Sequence, residues 1–287
     1  MKNKSGNTAF GAAAVRLIEQ YEPEDKRLFY DPVIYHLTYP FLRFLLKFKF
    51  MRDYYIRLSD KIIPGIIGGQ ICRTKFIDDK TLYVLKDVEQ ILIFGAGLDT
   101  RAYRLKGTAQ KMFYEIDLPN VQQYKKQKLV KYLGELPASV NYIPIDFNKT
   151  KTEDVLDNSS FDFNKRTLVI FEAVTQYITA DAVDETFKFI SKLPNNSYLL
   201  FTYVLKDVIE RKTESAKKLM DWSEKKNYPF IFGIDPLEIA SFLQKYNLEI
   251  IEDVGTEFYQ EKYLKPINRD INVLEAERTN FSRINKK

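Results

Sequence analysis

From residue 89 onward, short apolar runs recur at near-even intervals with helical stretches between them. The runs are ILIF (91–94), MFYEI (112–116), VNYIPI (140–145), TLVIF (167–171) and SYLLFTY (197–203). NVQQYKKQKLVKYL (120–133) and DAVDETFKFISKL (181–193) stand among the intervening helical stretches. Strands that alternate with helices imply crossover connections, so the pattern predicts βαβ units and a parallel sheet with helices on both faces. LEIIEDV (248–254) and RTNFSRI (278–284) read as two further strands, making about seven.

The first 88 residues have a different texture. Ala12, Val15, Leu17 and Ile18 stand at helical spacing, and the region reads as helical throughout, a cap added to a core that spans 89–287. Within it, YPFLRFLLKFKFMRDYYIRL (39–58) is dense in aromatics and basic residues. It reads as one amphipathic helix packed on a core, in preference to a helix lying on a membrane surface. KDVIERKTESAKKLMDWSEKKN (206–227) reads as a solvated helix inside an insertion at about 204–232. A hydrophobic fraction of 45% excludes a mainly disordered chain. With 44 Lys and Arg against 39 Asp and Glu, the net charge of +5 is spread along the chain, which argues against a nucleic-acid partner. The single cysteine, Cys72, excludes a disulfide framework and reads as a buried apolar residue. The N-terminal residues lack a signal-peptide core, no run reaches the length of a membrane span, and no metal-ligand cluster is evident, so the expectation is a cytoplasmic protein.

The chemistry gathers where the strands end. Gly95 and Gly97 follow the first strand, where glycine lets the backbone turn sharply and lets a ligand approach. Asp99 and Thr100 are candidate caps of the next helix. The third glycine of the dinucleotide fingerprint is missing, since Thr100 stands there. Asp117 comes about 20 residues later at the end of the second strand, where a carboxylate accepts ribose hydroxyls. Asp146 and Glu172 end the next two strands. Ligands of open α/β sheets bind at the carboxyl ends of the strands, and four successive ends carry suitable residues. At this level both a nicotinamide dinucleotide and S-adenosylmethionine fit.

GAGLDTRAYRL, YEIDLP, PIDF and FEAVTQYIT, with YEPEDKRLFYDP (21–32), CRTKFIDD (72–79) and FGIDPLEIASFLQKYNLEIIED (232–253), resemble the bacterial and archaeal relatives of leucine carboxyl methyltransferases. That resemblance covers most of the chain. It implies an α/β, Rossmann-like, seven-stranded and mostly parallel methyltransferase sheet with an N-terminal helical cap, and S-adenosylmethionine as cofactor. It implies that Arg73 meets the methionine carboxylate, and that Gly95, Ala96 and Gly97 lie beneath the cofactor. It further implies that Asp117 holds the ribose, that Leu118 also meets the cofactor, that Asp146 and Phe147 flank the adenine, and that Glu172 faces the methionine amino group. An O-methyltransferase follows, acting on a carboxylate of a small molecule or peptide. A carboxylate is ionised at neutral pH and needs no general base, and the one histidine, His36, reads as structural. The alternatives are a phenol or alcohol acceptor and, further off, an NAD-dependent oxidoreductase. No catalytic residue is singled out.

Overall fold

The computed structural model describes residues 6–147 and 150–286, with only the backbone for residues 6–8. Among the described residues, five helices precede the first strand: α1 (Gly6–Glu19), α2 (Pro32–Leu37), α3 (Pro40–Leu46), α4 (Lys49–Ile62) and α5 (Ile66–Val84). Then follow β1 (Gln90–Phe94), α6 (Arg101–Arg104), β2 (Met112–Asp117), α7 (Pro119–Leu133), β3 (Val140–Pro144), α8 (Thr152–Leu156), β4 (Thr167–Phe171), α9 (Ala180–Lys192) and β5 (Tyr198–Val204). The chain continues through α10 (Lys206–Ile209), α11 (Glu214–Lys225), α12 (Ile239–Gln244), β6 (Leu248–Val254), α13 (Thr256–Tyr259) and β7 (Glu277–Ile284). Every apolar run expected to be a strand is one.

The strands form one sheet in the order β3-β2-β1-β4-β5-β7-β6, in which β7 alone runs antiparallel to its neighbours. Alternate side chains of β1 feed two cores. Leu92 and Phe94 join Val183, Phe187 and Ile190 of α9 and Leu243 of α12. Ile91 and Ile93 join Cys72, Phe76, Ile77 and Val84 of α5 on the other face. Continuous burial of β1 and β4 is what a central parallel strand covered on both faces requires.

Three sequence expectations change. The division near residue 88 cuts across the packing, because α5 is a layer helix of the sheet and only α1 to α4 lie outside it. The stretch 39–58 is two helices. Phe48 is extended, and the buried Arg52 donates from Nη1 to Leu46 O and Lys47 O, closing the end of α3 before α4 starts. The 206–227 stretch is not a solvated helix either. It is α10 and α11, and α11 buries Ala216, Leu219 and Met220 against Ile63 and Val204.

The start of α5 passes close to the 272–274 segment. A Cβ built on Gly68 would stand 2.1 Å from the Asn272 carbonyl oxygen. Gly68→Ala is therefore expected to destabilise the protein by about 1–3 kcal/mol, through overpacking against backbone. Gly11, inside α1, has nothing within 4 Å of such a Cβ. Gly11→Ala should stabilise by roughly 0.5–1 kcal/mol. Urea unfolding of the two variants checks both signs.

Candidate active site

A cavity of about 940 Å³ opens at the carboxyl ends of β1 to β4, within the range expected of a ligand site. One half is lined by residues 93–99, Arg101, Asp117, Leu118, Val121, Asp146, Phe147 and Glu172. All nine residues singled out from the sequence, Arg73 and Ala96 included, line this cavity.

The glycine loop is shaped by close approach. Gly95 has φ +61°, and a Cβ there would stand 2.3 Å from Val174 Cγ2, so any larger residue would be strained and would have to displace Val174. Gly97 has φ +48°, and its Cβ would come within 3.3 Å of Ala9, because α1 lies across the loop. Asp117 fastens the loop to the second strand: its Oδ2 accepts from Gly97 N–H at 2.5 Å and its Oδ1 from Leu118 N–H at 2.6 Å. Burial raises the Asp117 pKa, and these two bonds oppose the rise. Of the two expected caps, Asp99 serves, accepting from Arg101 N–H at 2.7 Å. Thr100 instead donates its hydroxyl to Asp31 at 2.6 Å and accepts from Arg16 and Arg104.

Beside the loop runs a chain of buried charges. Arg73 donates from Nε to Glu172 at 2.8 Å and from Nη1 to Glu277 at 2.6 Å. Arg101 donates to Glu172 at 2.9 Å, to Asp78 at 2.8 Å and to Asp99. Arg104 donates to Asp78, and Arg16 pairs with Asp31. Burial pushes the Glu172 carboxyl up, but Arg101 and Arg73 outweigh it and hold it below the usual value. Burial likewise opposes ionisation of Asp99, yet Arg101, Lys125 and Arg16 hold it at about 2. Sequence reading missed Arg101, although it stands in the motif, and Glu277, although β7 was expected. Because β7 is antiparallel, its first residue, Glu277, pairs with Val204 and so arrives at the edge where the parallel strands end.

The other half of the cavity is mostly apolar. Tyr55, Leu58 and Ile62 of α4, Ile63 just after it, Ile66 and Ile67 of α5, Leu219 and Trp222 of α11, and Tyr228 and Phe230 line it. Two polar atoms in its wall are buried without a hydrogen-bond partner, Gln70 Oε1 and Gln176 Oε1. Cys72 is fully buried in the core under α5, and burial pushes its thiol up to about 12. His36 stacks on Tyr132 at 3.7 Å, away from the residues that line the cavity.

The sheet order and the loop define the class, the methyltransferase-type α/β fold. Among solved structures, a "putative methyltransferase" of Thermobifida fusca YX superposes with a TM-score of 0.60 at 16% identity, over 94% of this chain and 97% of that one. A DUF574 family protein of Streptomyces avermitilis MA-4680 gives 0.59 at 14% identity, over 93% and 100%. A protein of Mycobacterium avium (strain 104) named "Putative S-adenosyl-L-methionine-dependent methyltransferase" is 29% identical over 158 residues, 55% of this chain and 52% of that protein. The match thus spans about half the length of that relative. One of the same name from Mycolicibacterium gilvum (strain PYR-GCK) is 26% identical over 219 residues, 75% of this chain and 71% of that one. The leucine carboxyl methyltransferase family model matches residues 9–191. The chain belongs to this family, which sets aside the oxidoreductase reading.

Asp99 ionises more readily in the folded protein than in the unfolded chain. Its contribution to stability is therefore complete above the ordinary carboxylate value of 3.8 and is lost as pH falls toward about 2. Asp99→Asn should flatten the melting temperature against pH across that window, as read by calorimetry.

Proposed function

We propose that this protein is an S-adenosylmethionine-dependent O-methyltransferase whose acceptor is a carboxylate. When bound, S-adenosylmethionine supplies an electrophilic methyl group to an oxygen nucleophile.

The residues present suit such a cofactor. The linked charges beside the glycine loop comprise the guanidiniums of Arg16, Arg73, Arg101 and Arg104 and the carboxylates of Asp31, Asp78, Asp99, Glu172 and Glu277. Carboxylates exceed guanidiniums by one, which complements a cofactor whose sulfonium and ammonium exceed its single carboxylate. In this reading Arg73 and Glu172 hold the methionine end, Asp117 the ribose, and Asp146 and Phe147 the adenine. Arg73 already shares its protons with Glu172 and Glu277, so it meets a further carboxylate as part of a network rather than as a free cation.

The acceptor class rests on one observation: among the described residues of the cavity wall there is no histidine, and Asp99, Asp117, Glu172 and Glu277 are each engaged by a guanidinium or by backbone N–H groups. Burial raises the phenols of Tyr55, Tyr177 and Tyr228, keeping them protonated. Glu172 and Asp99 lie below the usual carboxylate range and are tied to guanidiniums. A phenol or alcohol would need a base. A carboxylate arrives ionised, so the protein has only to align it, neutralise it in part and exclude water. Lys226, exposed at the cavity wall and in no salt bridge with another described residue, provides a cation for an incoming acid.

Radiolabelled methyl transfer to a panel of carboxylic acids is expected to give product whose label leaves as methanol on mild alkali. Alkali-stable label would mean an ether or amine product and would overturn the carboxylate reading. Removing the Asp117 carboxylate deletes charge-assisted hydrogen bonds of about 1.5–3 kcal/mol each. Asp117→Ala should weaken S-adenosylmethionine binding by about tenfold or more at unchanged secondary structure. Titration calorimetry with circular dichroism reads both.

A further inference from the structure

We propose that the corner between α3 and α4 is a docking surface for an anionic membrane. Phe41 and Phe44 on α3, Phe48 in the turn and Phe50 on α4 are 72%, 61%, 41% and 66% exposed. Phe44 and Phe48 meet edge to face with ring centres 5.4 Å apart, and Phe48 and Phe50 lie 5.9 Å apart. Tyr39 and Tyr54 extend the exposed apolar surface. Single exposed aromatics are ordinary, whereas a contiguous cluster of this kind marks an interaction site.

The fold holds these rings outward. Arg52 is buried, and its guanidinium fixes the turn by donating to Leu46 O and Lys47 O and by lying 5.2 Å over the Tyr21 ring. Leu46 and Ile56 pack inward on the same two helices. The outer face is therefore not a core face waiting for its own chain.

Charge selects the partner. Lys47 and Lys49 are exposed between the phenylalanines, and Arg57 and Lys61 are exposed farther along α4. The acids of this stretch are already engaged. Asp53 pairs with Lys49 at 2.7 Å, and Asp60 accepts from Gly65 N–H and Asn272, so of these four cations Lys47, Arg57 and Lys61 are in no salt bridge with a described residue. Aromatic rings alternating with ammonium groups match a bilayer interface, where rings enter the acyl boundary and lysines meet lipid phosphates. A two-fold contact with a second copy presents the same patch on both sides and so brings like charges together. The position adds a use for the contact: Leu58 and Ile62 are both exposed and line the cavity, so its mouth lies at the edge of this surface. An amphiphilic acid would then pass from bilayer to cavity along α4. That last step rests on the proposed function, and the docking does not.

The test is co-sedimentation of the full chain with phosphatidylcholine vesicles, with and without phosphatidylserine. Binding is expected only when phosphatidylserine is present, and it should weaken with salt. Phe44→Ser/Phe48→Ser/Phe50→Ser and Lys47→Glu/Lys49→Glu should each reduce binding by about tenfold or more at an unchanged melting temperature. Absence of wild-type binding to phosphatidylserine vesicles overturns the proposal, as does equal binding by both variants. A wild-type dimer that the phenylalanine variant dissolves, without vesicle binding, assigns the patch to self-association and also overturns it. S-adenosylmethionine binding is titrated in parallel. Its absence from the wild type would refute the proposed function and leave the docking result standing.

Discussion

Arg101 is buried among three carboxylates that come from three parts of the chain: Asp78 of α5, Asp99 of the glycine loop and Glu172 at the end of β4. A buried guanidinium is tolerable only when its charge and its donors are matched, and the match here is made across elements rather than within one. The same chain of pairs continues through Arg73 to Glu277 on β7 and through Arg104 and Thr100 to Asp31 and Arg16. It locks α1, α2, α5 and α6 to the ends of β4 and β7. The cavity thus has one fixed, polar wall.

The opposite wall is built differently. Here α4, α5 and α11 supply apolar side chains, with Gln70 and Gln176 as isolated acceptors. Buried acceptors without partners are costly, so they are expected where a bound molecule supplies a donor. A rigid, charged half and an apolar half divide the labour suited to group transfer. Under the proposed function, the charged half would hold the cofactor and the apolar half would exclude water from the acceptor. On the same proposal, the helices outside the sheet would carry substrate choice.

How much of this could be read from the chain follows from the range of the forces. The strands and their order of appearance were legible because each apolar run is a local pattern that a buried strand must show. The strand-end residues Gly95, Gly97, Asp117, Asp146 and Glu172 were legible because parallel strands bring all their carboxyl ends to one edge, whatever the details of packing. The split of 39–58 into α3 and α4 was not, because it depends on where the Arg52 guanidinium finds its acceptors. The role of α5 was not, because a helix buried in a sheet layer and one buried in a cap show the same apolar positions.

The sequence by itself determined the sheet, the glycine loop and the family to which the chain belongs, because these rest on local pattern and on motifs at fixed spacing. Tertiary structure alone decided that Arg73 and Arg101 share Glu172, that antiparallel β7 delivers Glu277 to the same site, and that Asp117 ties down the loop it faces. It also decided that Phe41, Phe44, Phe50 and Tyr54 of α3 and α4 face outward while Tyr55 is half-buried. These are meetings of residues far apart in the chain, and the energy that fixes them, of desolvated charge and of close packing, exists only once the elements are assembled.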